Sequence, residues 1–213
     1  MSVLRSMMLT DIEDYIQKGL VFQLCGEDAT EKTWISRIGN KEFTLNNCTL
    51  GDMCVIFNGT NSFCQSPIFS YNTSGHTIQF VFKTNNYYSY QIIFLSPVSD
   101  SIAAGILTSG GYLWSANTRH NYPKSNQINT NIKTVSISEG SYYENETTMT
   151  SIGSDYWTAN GSYTYIGKRY DGAAGTSFLN GSLYQIRIYD RILEPEEILY
   201  NQKLDIGKYN ITL

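Results

Sequence analysis

Residues 180–199, NGSLYQIRIYDRILEPEEIL, set one arginine, Arg187, a few positions before three glutamates, Glu194, Glu196 and Glu197. Carboxylates gathered beside an arginine are the materials of glycoside chemistry, which needs two acids about 5 Å apart across the scissile bond. Their spacing points elsewhere. Tyr184, Ile186 and Ile188 alternate with Gln185, Arg187 and Tyr189, the period of a β-strand, so Arg187 belongs to the face opposite the apolar row. It is expected at a solvated or concave sheet surface, outside the core. After Asp190 the period fails, and Pro195 suits a first helical position. Glu196 and Glu197 then fall in a first turn, where the helix dipole favours negative charge. A helix of one or two turns is expected, ending near Gln202 and held down by Ile198 and Leu199. The remaining acids cluster as GED (26–28) and YYENE (142–146). Glu144 and Glu146 would share one face of an extended segment, but a solvated hairpin accounts for them more simply. His76 and His120 lack the partner pattern of a serine or cysteine nucleophile. The chain is therefore read as having no catalytic site.

Aromatic residues interleaved with hydrogen-bonding groups offer a different chemistry, the stacking and polar capture of a sugar. GGYLWSANTRHNY (110–122) supplies Tyr112, Trp114, Asn117 and Arg119, and SDYWTANGSYTY (154–165) supplies Tyr156 and Trp157. These six are the candidate ligand-binding residues. Such a surface suits a cell-surface glycan or a protein partner, contacted at low entropic cost. With a net charge of −4 and only 16% charged residues, nothing marks a nucleic-acid backbone as the partner. No apolar run approaches the ~20 residues of a membrane span, and the opening MSVLRSMMLTDIEDYIQ lacks the apolar stretch of a secretory signal. Cys25, Cys48, Cys54 and Cys64 fit no zinc spacing and are expected as free thiols. Asn58-Gly59, Asn160-Gly161 and Asn180-Gly181 are read as tight turns.

The elements that must position these residues are strands. LVFQLC (20–25), KEFTLNN (41–47), CVIFNG (54–59), HTIQFVFKT (76–84), YQIIFLS (90–96), GILTS (105–109), YLWSAN (112–117), KTVSISEG (133–140), TYIGKRY (164–170) and SLYQIRIYD (182–190) are each short and rich in β-branched or aromatic residues. About ten strands without long helices predict an all-β sandwich of two antiparallel sheets. Residues 1–18 are read as an arm or connector, with Thr10 and Glu13 framing a capping box for a short helix that Gly19 stops. Residues 19–213 are read as the sandwich.

The segment YIGKRYDGAAGTSFLNGSLYQIRIYDRILEPEEILYN resembles the closing motif of laminin G-like domains in the concanavalin A-like lectin/glucanase superfamily. Its pieces are Ile166-Gly167, Phe178 to Leu183, Ile186 to Tyr189 and Leu193 to Ile198, and VIFNGTNSF and HTIQFVFKT are similar to earlier strands of that pattern. The resemblance covers roughly residues 19–205 and implies a jelly roll of about twelve strands with a short C-terminal helix. It implies no single activity, because this fold hosts lectins, glycosidases, adhesion modules and virion proteins. The E-x-D-x-x-E strand of its retaining glucanases is missing here. The usual Ser or Thr helix cap is Glu194, and the first-strand aspartate of many relatives is Cys25. Laminin G-like domains often hold calcium at the sandwich rim, and Asp155 and Asp171 would be its loop ligands here. The resulting expectation is a non-catalytic binding module of a phage virion, in a fibre, baseplate or capsid appendage. A purely structural virion or decoration protein is the alternative, with a homotrimer or other homo-oligomer as the assembly. A bacterial cell surface is the other setting considered.

Overall fold

The computed structural model describes residues 14–67, 77–85, 91–96, 102–106, 112–116, 118–121, 131–138, 141–150, 153–156, 163–168 and 177–212. In chain order the strands are β1 (Leu20–Cys25), β2 (Thr33–Ile35), β3 (Glu42–Asn46), β4 (Thr49–Gly51), β5 (Cys54–Asn58) and β6 (Phe63–Pro67). Next come β7 (Thr77–Thr84), β8 (Gln91–Ser96), β9 (Ile102–Ile106), β10 (Tyr112–Ala116), β11 (Thr118–Asn121) and β12 (Lys133–Ser138). The last are β13 (Ser141–Glu144), β14 (Thr147–Thr150), β15 (Gly153–Tyr156), β16 (Tyr163–Ile166) and β17 (Asn180–Tyr189), followed by the helix α1 (Pro195–Tyr209). One sheet has the order β14-β13-β12-β7-β17-β5-β4, with β1 also paired to β17, and the other runs β15-β11-β10-β9-β8-β16-β6-β3-β2. All the pairings are antiparallel, so the expected two-sheet sandwich with a C-terminal helix is the observed architecture.

The core between the sheets follows from alternation. Phe22 and Leu24 of β1, Ile78, Phe80 and Phe82 of β7, Val135 and Ile137 of β12 and Leu183, Ile186 and Ile188 of β17 form one wall. Trp34, Phe43, Cys64, Phe94 and Ile166 supply the opposite one. Trp34 satisfies its indole N–H on the carbonyl of Cys25 at 2.7 Å, which lets so large a side chain lie wholly buried. The Ile166-Gly167 motif also finds its reason in this core. Gly167 takes φ +83°, and a Cβ there would stand 2.5 Å from the Phe57 ring.

Four expectations need correction. Asn180-Gly181 is no turn: it opens β17, where Asn180 pairs with Asn58 and Gly181 with Phe57. A Cβ on Gly181 would lie 2.0 Å from the Lys83 carbonyl, so glycine is demanded here by close strand approach. Tyr184 does not join the apolar row, because the register slips between Leu183 and Gln185. Its ring packs edge-on against Tyr209, 5.4 Å between centroids. The helix runs seven residues past Gln202, because Asn201, Gln202, Asp205 and Tyr209 are buried against the sheet although most of them are polar. Lastly, residues 14–19 are not helical: the Ile16 amide is drawn to the Asn201 side chain at 3.0 Å and the Tyr15 ring to Arg187. Among the described residues no helix is long and apolar enough to cross a membrane.

Candidate functional site

Two regions concentrate groups able to do chemistry. The first lies where α1 and residues 15–16 cover the sheet face opposite the core. Arg187, expected at a solvated surface, is 0% exposed. Its face was read correctly, but the helix and the N-terminal segment close over it. The guanidinium donates to both carboxylate oxygens of Asp205, Nη1 to Oδ1 at 2.8 Å and Nη2 to Oδ2 at 2.6 Å, and Nε donates to Gln79 Oε1 at 3.2 Å. The Tyr15 ring lies 3.9 Å from the guanidinium carbon. Thr134 donates its hydroxyl to Asp205 at 2.7 Å, Asn201 donates to Gln79 at 2.8 Å, and Gln79 donates to Ser136 at 2.8 Å. The pairing with Asp205 raises the Arg187 pKa despite the opposing cost of burial. Burial pushes the Tyr15 phenol well above its ordinary range. Perturbed titration in a cluster can mark a catalytic centre. This cluster is sealed and its charged groups are paired internally, which makes it a clamp for the helix. Its one orphan among the described side chains is Gln185 Nε2.

Glu144 also differs from expectation. It is buried, accepting from Lys133 Nζ at 2.9 Å and from the Tyr142 hydroxyl, while Glu146 is exposed in the following turn. Alternation is broken at that turn by the positive φ of Asn145 and Glu146, so the two acids share no face. The other glutamates behave as helix-start residues. Glu197 accepts the Glu194 amide at 2.9 Å and holds Arg191 through both oxygens at 2.6 and 2.7 Å.

The second region is open. On the outward face of the nine-stranded sheet, Phe63 of β6 and Tyr163 and Tyr165 of β16 form a short aromatic ladder. Phe63 and Tyr165 meet edge-on at 6.1 Å, and Tyr163 lies 6.2 Å from Tyr165. Lys168 sets its ammonium 3.8 Å from the Phe63 ring centre and 4.6 Å from that of Tyr165. Partial burial lowers the Lys168 pKa, so its charge is less fully hydrated than that of a free lysine. Tyr163 remains 42% exposed, Gln65 stands opposite Tyr165 in the register, and Thr44 stands opposite Gln65 on the next strand. Exposed rings, one cation and amide and hydroxyl groups on one sheet face are the components of a sugar-binding platform.

The register extends this face toward the residues singled out from sequence. Tyr165 pairs with Leu95, Leu95 with Ala103, Ala103 with Ser115, Ser115 with Arg119, and Arg119 with Asp155. Arg119 and Asp155 therefore continue the transverse row of Tyr165, four and five strands away, roughly 19 and 24 Å. Trp114 falls in the neighbouring row, between Ala104 and His120, which leads through Phe94 and Ile166 to Cys64. Tyr112 pairs with Ile106, and Tyr156 with Thr118. Asn117, Trp157 and Asp171 lie outside the described residues, as does His76. The structure thus aligns Arg119 with Asp155 and separates both from Trp114 by one register step. Phe63, Tyr163, Tyr165 and Lys168 were not singled out from sequence, although the alternating aromatics of Y-T-Y were a signal for an exposed row. For calcium, the described residues hold no group of three or more His, Cys, Asp or Glu side chains that could surround an ion, and Asp155 is the register partner of Arg119.

Neither a protein-family model nor a characterised protein sequence matches the chain. Solved structures do. Trypanosoma rangeli sialidase in complex with sialic acid matches at a TM-score of 0.62 and 14% identity, over 89% of this chain and 33% of that one. The binding domain of botulinum neurotoxin DC in complex with SialylT matches at 0.63 and 14% identity, over 87% of this chain and 51% of that one. The chain therefore spans a third to a half of the structures it resembles, and at this identity the likeness is one of fold alone, a two-sheet antiparallel β-sandwich. One expectation is overturned. The absence of catalysis was inferred from sequence, yet structures sharing this fold include sialidases, so the fold does not argue against an enzyme.

Proposed function

We propose that the chain is a glycan-binding module whose contact surface is the outward face of the nine-stranded sheet, around Phe63, Tyr163, Tyr165 and Lys168. The observation that carries this reading is the Lys168 ammonium held over two rings beside a half-open third. Rings accept the apolar face of a pyranose, and the ammonium donates to hydroxyls or attracts a carboxylate. An acidic, sialic-acid-bearing glycan is the favoured class. The partly desolvated cation supports it, as do the sialic acid and SialylT complexes of the two structural neighbours. Arg119 occupies the same transverse row four strands away, the span of a longer oligosaccharide.

The finer context belongs to the same proposal. A laminin G-like module displayed in several copies, as on a phage fibre or a bacterial surface, would turn weak single-site binding into firm attachment. A chain with only 16% charged residues and abundant Asn, Ser, Thr and Tyr supports an exposed adhesive role. The test is a glycan array probed with the full chain, using matched sialylated and desialylated oligosaccharides. Binding to the sialylated set is expected, reduced at least tenfold by Tyr163→Ala and by Lys168→Met, which keeps the packing and removes the charge. Unchanged binding by both folded variants overturns the surface. Release of free sialic acid from the same ligands, measured in parallel, would replace binding by hydrolysis as the activity.

A further inference from the structure

The four cysteines are unbridged, but two of them are neighbours. Cys48 Sγ lies 3.9 Å from Cys64 Sγ, at the corner where the chain leaves β3 of one sheet to enter β4 of the other. A disulfide needs the sulfurs about 2 Å apart, so the pair has about 2 Å to close. We propose that Cys48 and Cys64 are a dithiol site that a small-molecule disulfide, of the glutathione type, oxidises to an intramolecular bridge.

The two residues are unequal in a way that orders the reaction. Cys48 is half-buried, and its Sγ lies 3.4 Å from the Asn46 carbonyl and 3.5 Å from that of Phe63. Cys64 is wholly buried in the core, where its register partners are Leu45 and Ile166. The Cys64 thiol beside it lowers the Cys48 pKa, whereas burial raises that of Cys64. Cys48 is thus the accessible nucleophile and Cys64 the resolving thiol. The Cys48 thiolate attacks one sulfur of the reagent, forming a mixed disulfide and expelling one small thiolate. Cys64, deprotonated by that leaving thiolate, then attacks the Cys48 sulfur and expels the second. The protein loses two protons and two electrons, and the reagent is reduced to two thiols. Cys25 and Cys54 lack this geometry: the Cys54 thiol lies beside Ser182 and Tyr184, and burial pushes the Cys25 thiol up to about 11.

The bridge would span a sequence separation of 16 residues and tie the start of β6 to the β3–β4 corner. Phe63, next to Cys64, is one ring of the proposed platform and lies under the Lys168 ammonium, so the bridge would stiffen that edge. The dithiol assignment stands whether or not that surface binds a glycan. The test incubates the folded chain with graded ratios of oxidised to reduced glutathione, traps free thiols by alkylation and maps peptides by mass spectrometry. The expected product has lost two hydrogens, links the Cys48 and Cys64 peptides and leaves Cys25 and Cys54 alkylated. Its thermal midpoint should rise by about 5–10 °C. The double variant Cys25→Ala/Cys54→Ala should form the same bridge. Cys48→Ser, at the half-buried position, should abolish it. A glutathione adduct that persists on Cys48, a bridge to another cysteine, or four alkylated thiols at every ratio would each overturn the proposal.

Discussion

The two faces of β17 behave oppositely although they alternate residue by residue. Ile186 and Ile188 point into the apolar core between the sheets, where packing alone suffices. Gln185, Arg187 and Tyr189 point to the face beneath α1, equally shielded from water, where nearly every polar atom has a named partner. Burial is the same on both sides, and the cost of an error is not. On the apolar face a lost methylene costs contacts and a cavity. On the polar face a lost partner strands a charge without solvent.

The largest effect expected from breaking this comparison is Ile186→Asp. A carboxylate would be forced among Phe80, Leu183 and Ile188, costing about 5 kcal/mol or more. Loss of cooperative unfolding in urea would be the readout. Arg187→Ala follows closely. Strand alternation alone suggested a tolerant surface position, but removing the guanidinium leaves Asp205 buried and unpaired, at about 3–5 kcal/mol. A measured loss below 1 kcal/mol would mean that water reaches this layer. The paired replacement Arg187→Met/Asp205→Leu sharpens the contrast, because it removes both charges and keeps their volume. It should cost less than either single change, and a double-mutant cycle in urea would show the difference as coupling.

A smaller effect separates the layers by pH. Burial pushes the Tyr184 phenol up to about 12 and those of Tyr15 and Tyr209 higher still, all three on the helix side. A raised phenol pKa in the folded state means that the unfolded chain releases its proton first. Stability is therefore complete below pH ~10 and declines as pH rises above it. Absorbance titration at 295 nm should show these phenols ionising only with unfolding, and Tyr15→Phe should shift the alkaline midpoint. The smallest effect belongs to Glu197→Gln, which weakens a partly exposed pair with Arg191 and should cost about 0.5–1 kcal/mol. Arg191 lowers the Glu197 pKa, so this contribution exists above the ordinary carboxylate range and fades as pH falls through the lowered folded value. A wild-type and variant difference that grows on acidification would contradict that sign.

The open face and the sealed layer also differ in how well sequence announced them. Tyr163, Tyr165 and Lys168 occupy one short stretch, and their neighbour Phe63 lies 100 residues before Tyr163. Only the pairing of β6 with β16 makes them one surface. Arg119 and Asp155 could be named as binding candidates, but their shared row with Tyr165 depends on five successive pairings.

By itself the sequence determined the strands and the side each residue takes, since a period of two is written in neighbours: Ile78, Phe80 and Phe82 against Gln79 and Val81, Ile186 and Ile188 against Arg187. Pro195 and Glu197 likewise marked the helix start, because capping chemistry is local. Only the tertiary structure decided what covers each side. The polar residues Asn201, Gln202 and Asp205 look like a solvent face in a helix read alone, so α1 seemed to end early. They are buried because Arg187, Gln79 and Ser136 await them across the sheet surface. Hydrogen-bond complementarity between distant segments leaves no periodic trace in either one, which is why that layer could be seen only after folding.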